Sequence, residues 1–456
     1  MLAQPVIAVI DVGKTNKKLF LFDEDYNIVF EQSAQFFETV DEDGDPCENI
    51  ESLRLSVFDS LRSVFGKKEF DLKAVNFSAY GASFVYLDKE GRPLTPLYNY
   101  LKTFPDHLHK QFYNTYGGEE ALSLATASPI LGSLNSGLQL YRLKYEKPEI
   151  FAQVKYALHL PQYLSYLLSG TATTDTTSIG CHTMLWDFQK RDYHKWVYAE
   201  GLHEKFAPIV SSDETVNAVF PGSNYKVGIG LHDSSAALIP YLVNFNEPFI
   251  LISTGTWCIS LNPFNNISLT AEELAQDCLC YLQYNGKPVK ASRLFAGRMH
   301  EEGIRRLADH FHTEVARYRS VQFNPELLPL LQKGAGDSVS TVPAFELQDL
   351  STFSSYEEAY HNLMVSIMQQ QIQSTALVIK GSPVKRLFVD GGFSKNAIYM
   401  HLLAAAFPEM EIFAASMAQA TSLGAALAIH KTWNPKPVPT TLIQLQFYSA
   451  KQELTL

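Results

Sequence analysis

Two stretches of this chain repeat one pattern of apolar and polar positions. Val6-Ile7-Ala8-Val9-Ile10 is an unbroken apolar run, Asp11-Val12-Gly13-Lys14-Thr15-Asn16 interrupts it, and Leu19-Phe20-Leu21-Phe22 resumes it. Far downstream, Phe249-Ile250-Leu251-Ile252 runs into Ser253-Thr254-Gly255-Thr256-Trp257 and then Ile259-Ser260-Leu261. A short apolar run bounded by turn residues predicts a buried strand. Each stretch therefore reads as strand, tight turn, strand. Such a turn presents backbone N–H groups and hydroxyls to an anion. Two copies predict two related domains that grip a polyphosphate from both sides.

Between the repeats, an alternating segment at 27–36 predicts a third strand, and Asp41-Glu42-Asp43-Gly44-Asp45-Pro46 an exposed turn. Leu53, Val57, Leu61 and Val64 recur at helical spacing and predict an amphipathic helix over 50–65. Strands are expected at 72–79, ending in Tyr80-Gly81-Ala82-Ser83, and at 84–87. A short apolar helix at 161–169 stops at Gly170, and 175–181 is a Thr-rich loop. A brief strand at 226–230 leads through Leu231-His232-Asp233 into a helix at 234–242. The segment 243–248 reads as a linker, which divides the chain into domains 1–243 and 244–456. Beyond the second hairpin, Tyr360, Leu363, Met364, Ile367, Met368 and Ile372 share one face of a long helix at 357–379. A strand at 384–389 runs into Asp390-Gly391-Gly392, followed by a helix at 395–407, a strand at 411–414 and a small-residue helix at 420–430. The Pro-rich tail after Trp433 reads as a surface extension. This order of elements predicts an α/β fold.

Composition narrows the partners. A chain of 456 residues suggests about two or three domains. Its 46% hydrophobic and 19% charged residues describe an ordinary soluble protein. A net charge of −11 with no basic run argues against a nucleic-acid surface. A bound anion must then be met by local backbone donors, a few basic groups or a metal. Five cysteines are too few for a disulfide scaffold, and Cys278-Leu279-Cys280 has the wrong spacing for zinc. Reduced thiols in the cytoplasm are expected. The N-terminus lacks a signal-peptide pattern, and no apolar stretch approaches the ~20 residues of a membrane span.

The candidate chemistry sits at the turns. Asp11 ends a buried strand and is either a ligand, direct or through water, for the Mg²⁺ that accompanies ATP, or an ordinary turn aspartate. One of Lys14, Lys17 and Lys18 could reach a phosphate. The paired Gly391 and Gly392 either allow a ligand close to the backbone or make a plain turn with Ser394 as helix cap. In Gly228-Ile229-Gly230-Leu231-His232-Asp233-Ser234, Asp233 is either a base that accepts a hydroxyl proton during phosphoryl transfer or a helix cap. A His-Asp metal phosphohydrolase would need further ligands that the sequence does not assemble. Tyr80, Trp186, Trp196 and Trp257 could stack on a sugar ring or belong to the core.

Taken in order, these elements resemble the FGGY family of carbohydrate kinases. Asp11 to Asn16 is similar to its first phosphate motif, and Ser253 to Trp257 to its second. Pro161 to Gly170, with Thr174-Asp175 and Thr177-Ser178, is similar to its central segment, and Gly230 to Asp233 to its catalytic loop. Gly391 to Asn396, with Ala420-Thr421-Ser422-Leu423-Gly424-Ala425-Ala426, is similar to its adenosine motif. The resemblance spans residues 6 to 430. It implies two actin-like (ribonuclease H-like) domains with ATP and sugar in the cleft between them. It implies Asp233 as general base and Asp11 beside Mg²⁺. Gly13, Lys14, Thr15, Asn16, Lys18, Thr254, Gly255, Thr256, Gly391, Gly392 and Asn396 are expected at the nucleotide, and Tyr80, Gly81, Ala82, His232, Asp233 and Trp257 at the sugar.

Two departures matter. The family commonly has Thr where this chain has Lys14. Its Trp-x-Asp-x-Arg segment is replaced here by Tyr98-Asn99-Tyr100-Leu101-Lys102-Thr103. The Ser-Thr-Gly-Thr-Trp turn looks most like the rhamnulose and fuculose kinase branch, whose 6-deoxy-ketohexoses would suit an apolar, aromatic pocket. An actin/Hsp70-like ATPase and a non-catalytic sugar-binding regulator stay open as alternatives. The expected partners are a small-molecule sugar, no nucleic acid and no membrane, and a homodimer is left open.

Overall fold

The computed structural model describes residues 3–14, 17–34, 38–219, 224–327, 345–417 and 419–449. Thr15, Asn16 and the last two positions of the expected strand at 27–36 lie outside the described residues.

Each apolar run forms the central strand of a sheet, which explains why it is apolar on both faces. Gln4–Val12 lies antiparallel to Lys17–Asp23 and parallel to Phe70–Ala79, and Val6 to Ile10 are all buried. Phe249–Thr254 lies antiparallel to Cys258–Asn262 and parallel to Arg386–Gly391. The repeat extends to whole sheets. The first runs Ile28–Ala34, Lys17–Asp23, Gln4–Val12, Phe70–Ala79 and Lys226–Gly228 across its width. The second runs Pro288–Leu294, Cys258–Asn262, Phe249–Thr254, Arg386–Gly391 and Glu411–Ser416 in the equivalent order. Both sheets therefore place an antiparallel hairpin beside a parallel strand, and both turns open on the same side as the ends of those parallel strands.

Two helices join the sheets. Asp233–Asn244 contributes Ala236 and Ile239 to the core under the first sheet, and Leu238 and Tyr241 to the core under the second. Ala420–Ala428 comes from the far end of the chain yet packs under the first sheet, where Asn76 Nδ2 donates to the Ala425 carbonyl at 2.7 Å. The helices meet backbone to backbone: a Cβ on Gly424 would lie 1.9 Å from the Ala236 carbonyl oxygen. This contact is the physical reason for the small-residue composition of the last helix. A further aromatic core between residues 84 and 206 is built around Trp196, Phe112 and Tyr141.

Several expectations need correction. The tail does not merely cover the surface: Gln444–Tyr448 adds a strand antiparallel to Glu411–Ser416. The loop at 175–181 contains the helix Thr176–Ile179, because Asp175 caps it by accepting the Thr177 and Ser178 N–H groups at 2.8 and 3.1 Å. The acidic turn is exposed at Glu42, Asp43, Gly44 and Pro46 as expected, but Asp41 is buried against the Lys102 ammonium at 2.5 Å. Trp196 is a core residue whose Nε1 donates to the Met184 carbonyl, and Trp186 packs on Tyr193. Asn396, not Ser394, caps the helix Ala397–Ala406. All five cysteines are free thiols. Among the described residues no helix is long and apolar enough to cross a membrane.

The Gly424 contact makes a test of the helix pair. Adding a single methyl as Gly424→Ala is expected to cost about 1–3 kcal/mol of stability, because the opposing atom is backbone and cannot swing aside. Denaturant melts of the two proteins measure it. An unchanged midpoint would mean that the helices are not packed this closely.

Candidate functional site

The first turn, the start of the Asp233 helix and the first turn of the Ala420–Ala428 helix come together, and the second turn borders a cavity in the other half. Asp11 lies near the end of its strand, where Oδ2 accepts the Thr421 hydroxyl at 2.6 Å and the Ser422 hydroxyl at 3.2 Å. Thr421 and Ser422, grouped with the adenosine motif by resemblance, thus reach the first phosphate turn instead. Burial pushes the Asp11 carboxyl up to about 6; the Thr421 hydrogen bond opposes this, and the charge of Asp233 adds to it. Two carboxylates that repel each other in a half-closed site are what a divalent cation would relieve. Among the described residues no set of three or more His, Cys, Asp or Glu could hold a metal alone. That suits Mg²⁺, which keeps waters and substrate phosphates in its shell and needs only one or two carboxylates.

The lysines divide by strand alternation. Lys17 turns inward and its ammonium meets Glu48 Oε2 at 2.9 Å. Lys18 faces the other way and pairs with Glu31 Oε1 on the next strand at 2.5 Å. Lys14 lies 3.6 Å from Glu48 Oε1 and over the rings of Tyr80 and Tyr100. Gly13 stays at the turn, while Thr15 and Asn16 are outside the described residues.

In the second half the turn is tied to the adenosine-motif strand. The Thr254 hydroxyl donates to the Asp390 carbonyl and accepts the Phe393 N–H at 3.0 Å, and the Thr254 carbonyl accepts the Gly392 N–H at 3.0 Å. Thr254 therefore holds two loops together, and its side chain is not free for a phosphate. Gly391 has φ +79° and would put a Cβ 1.9 Å from the Thr254 carbonyl oxygen, so no side chain fits there. Gly255 is turned over the Trp257 carbonyl, to which its N–H donates at 2.8 Å, with Thr256 exposed between them. Beside this junction is a cavity of about 650 Å³ bounded by Gly255, Gly297, His300, Gly392, Phe393 and Asn396. Its size falls within the range of small-molecule sites. Asn396 Nδ2 donates to the Tyr360 hydroxyl at 2.8 Å, and His300 Nε2 sits 3.0 Å from the same hydroxyl. Burial pushes His300 down to about 4, leaving a neutral ring on the cavity wall.

The loop at 228–234 is held from behind by the segment at 161–170 and its neighbours. Gln162 Nε2 donates to the Gly230 carbonyl at 2.9 Å and the Ser165 hydroxyl to the Gly228 carbonyl at 2.7 Å. The Thr177 hydroxyl donates to Asp175 and accepts the His232 N–H at 3.0 Å. Asp233 opens its helix with a half-exposed carboxylate whose Oδ1 accepts the Ser234 N–H at 2.6 Å. His232 Nε2 lies 3.3 Å from that Oδ1 and 3.1 Å from Cys181 Sγ, and burial lowers the imidazole pKa so that the ring is neutral.

Other sugar-side expectations change. Tyr80 is buried with its hydroxyl committed to Glu48 at 2.8 Å, and the Ala82 carbonyl accepts Gln139 Nε2 at 2.6 Å. Gly81 packs on the His232 ring. The Tyr80 hydroxyl and the Ala82 carbonyl are thus already hydrogen-bonded within the protein. Trp257 is 40% exposed, stacked on Phe295 at 4.3 Å, with the Arg293 guanidinium 5.3 Å from its ring. Arg293 is held by two hydrogen bonds to Asp277 at 3.0 and 2.6 Å. Arg293, Asp277, Glu48, Tyr100, Cys181 and His300 escaped the sequence reading. No local motif marks them; Arg293 reaches the second turn only because its strand pairs in register with Ile259.

Two family models match the chain: "FGGY family of carbohydrate kinases, N-terminal domain" over residues 6–239 and "Carbohydrate kinase FGGY, C-terminal domain" over 246–437. The rhamnulokinase of Mannheimia succiniciproducens is 23% identical over 274 residues, 56% of this chain and 52% of that protein. The rhamnulokinase of Halalkalibacterium halodurans is 25% identical over 260 residues, 54% and 52% of the two chains. The chain spans about half the length of the curated relatives it matches. A carbohydrate kinase from Novosphingobium aromaticivorans superposes with a TM-score of 0.78 at 24% identity, over 98% of this chain and 95% of that one. A xylulose kinase from Rhodospirillum rubrum gives 0.80 at 13% identity, over 98% and 94%. These superpositions concern the fold, which is the two-domain actin-like architecture.

A buried carboxylate in the second half yields a pH test. Asp390 is raised by burial from 3.8 to about 6. Between those values the folded chain binds more protons than the unfolded one, so stability falls as pH rises through this window and the full penalty applies above it. Asp390→Asn cannot ionise. Relative to the parent protein it is expected to gain about 2–3 kcal/mol on going from about pH 4 to about pH 7.5. Denaturant melts at both pH values measure this; an equal difference at the two would contradict it.

Proposed function

Because the chain belongs to the FGGY family of carbohydrate kinases, we propose that it transfers the γ-phosphoryl group of ATP to a hydroxyl of a small sugar. The observation that carries this reading is the placement of Asp233. Its carboxylate is half-exposed beside Asp11, at the start of the helix that packs under both sheets.

The residues suggest a division of labour between proposed domains 1–243 and 244–456. ATP takes the cavity beside Gly255, Gly392 and Asn396, with its phosphates between the two turns. Asp11, with Asp233 nearby, would hold the Mg²⁺, which when bound neutralises phosphate charge. The sugar lies against Trp257 and the His232–Asp233 loop. The Ser234 N–H occupies Asp233 Oδ1, so Oδ2 is the oxygen turned to the acceptor. As the sugar oxygen bonds to the γ-phosphorus, its proton passes to Asp233, the bond from that phosphorus to the β–γ bridging oxygen breaks, and ADP leaves with the electron pair. Neutral His232 beside Oδ1 adds no charge that would weaken the base. Closure of the domains would exclude water that otherwise competes for the phosphoryl group.

The finer reading of the acceptor is a 6-deoxy-ketohexose such as L-rhamnulose or L-fuculose, handled in cytoplasmic carbohydrate catabolism. The rhamnulokinase relatives support it, as does the exposed apolar face of Trp257.

Asp233→Asn is expected to lower sugar-dependent ADP formation about 10²- to 10⁴-fold with the circular dichroism spectrum unchanged. Near-native turnover in the variant would remove Asp233 from the mechanism. For the acceptor, kcat/KM for L-rhamnulose is expected to exceed that for L-fructose, its 6-hydroxyl counterpart, by roughly tenfold. One methyl in an apolar pocket gains on the order of 1 kcal/mol, and an unpaired hydroxyl there costs as much again. Preference for L-fructose would refute the 6-deoxy reading and leave the kinase reading intact.

A further inference from the structure

The lysine of the first phosphate turn occupies a place that its sequence position does not suggest. Lys14 stands three residues past Asp11, yet it does not border the nucleotide cavity. Its ammonium lies 5.8 Å from the centroid of Tyr80 and 5.7 Å from that of Tyr100. Gly81, next to Tyr80, packs on the ring of His232, whose Nε2 lies 3.3 Å from Asp233 Oδ1. Lys14, the Tyr80–Gly81 turn and the His232–Asp233 loop therefore follow one another along the proposed acceptor side of the cleft.

Glu48 pairs with this cation only at the longer of its two lysine distances. Its Oε2 takes Lys17 at 2.9 Å, and its Oε1 accepts the Tyr80 hydroxyl at 2.8 Å. The 3.6 Å separation from Lys14 is beyond hydrogen-bond length. One buried carboxylate thus faces two lysines, and the buried Lys17 has the short contact. Lys14 remains as the excess positive charge, with its side chain 28% exposed. Cation–π attraction from two rings restrains the ammonium without using up its three donors. The segment 98–103 supplies no other cation to the cleft, because Lys102 is turned away into Asp41, Asp43 and Asp45 at 2.5, 2.7 and 3.3 Å.

We propose that Lys14 is a specificity-determining residue for the acceptor: its ammonium donates to an oxygen of the sugar that flanks the hydroxyl facing Asp233, and not to the nucleotide phosphates. The proposal rests on the kinase reading above and assigns to it a residue that reads the sugar. The rings of Tyr80 and Tyr100 fix the ammonium laterally, so the recognised oxygen must lie at a set distance from the reacting hydroxyl. Sugars that differ in configuration at that one carbon would then be separated by Lys14.

The experiment compares the parent protein with Lys14→Met and Lys14→Arg. Glu48 keeps Lys17 and Tyr80 in both variants, so melting temperatures close to the parent are expected. The acceptor probe is L-rhamnulose, or the best acceptor in a panel of ketoses, aldoses and polyols; the nucleotide probe is ADP. In Lys14→Met the acceptor KM is expected to rise about 10- to 100-fold, the range of one hydrogen bond to a charged group. The ADP dissociation constant should stay within about twofold, kcat should change less than KM, and Lys14→Arg should recover part of the loss. ADP binding weakened about tenfold or more with an unchanged acceptor KM would overturn the proposal and place Lys14 on the phosphates. If the parent phosphorylates no sugar in the panel, the kinase reading fails. Calorimetric titration of the sugar into the ADP-bound proteins then still decides Lys14: weaker binding only in Lys14→Met supports the proposal, and equal binding, or none to the parent, overturns it.

Discussion

The close approach of two helix backbones, Gly424 against the Ala236 carbonyl, is the constraint on which the rest of the cleft depends. Each helix begins at the site. Asp233 opens one, and Thr421 and Ser422 lie in the first turn of the other, hydrogen-bonded to Asp11. If the helices were separated by even the width of a side chain, the hydroxyls could no longer reach Asp11, and Asp233 would move relative to the first turn. The crossing also exchanges cores between the halves. The last helix packs under the first sheet, and the Asp233 helix packs under both. The two halves are therefore coupled through apolar surface close to the chemistry.

The same region concentrates buried negative charge. In the first sheet Asp11 stands opposite Ser78, and in the second Ser253 stands opposite Asp390. The aspartate has moved from the central strand to its parallel neighbour between the two copies, while the Asp/Ser pairing across the strands is retained. Burial raises both carboxyls to about 6. They differ in what surrounds them. Asp11 is coupled to Asp233 and sits at the open turn, where a cation can relieve it. Asp390 is enclosed, with the Tyr241 hydroxyl of the Asp233 helix donating to it at 3.4 Å. One position serves the cleft and the other ties the helix to the second sheet.

Several basic residues near the two turns are held by acidic partners, while Arg319 and Lys395 line the cavity of the second half. Lys17 and Lys18 are adjacent in sequence but face opposite sides of their strand, toward Glu48 and Glu31. Arg293 is held by Asp277 and lies against Trp257. An acidic chain would meet an anion here with backbone N–H groups at its turns and with single basic residues whose partners leave donors free.

Much of the architecture was legible in the chain because it depends on local pattern. Apolar runs interrupted by Asp-Val-Gly and Ser-Thr-Gly determined the two hairpins, since a strand buried on both faces must be apolar throughout. Leu53, Val57, Leu61 and Val64 determined the helix Ile50–Phe65 for the matching reason of helical periodicity. The motif order pointed to Asp11, Asp233 and the paired glycines. What the sequence could not decide is where a side chain ends once strands pair and helices cross. Lys14, Lys17 and Lys18 look equivalent along the chain, and only strand alternation and the position of Glu48 separate them. In the tail the alternation of Ile443-Gln444-Leu445-Gln446-Phe447 is a strand signal that the surrounding prolines obscured, and only the fold decides that it pairs with the exposed edge of Glu411–Ser416. Thr421 and Ser422 reach Asp11 across 410 and 411 residues of chain. Local propensity sets which residues form an element, whereas contacts at that separation depend on the close packing of two helices, and only the tertiary structure decides them.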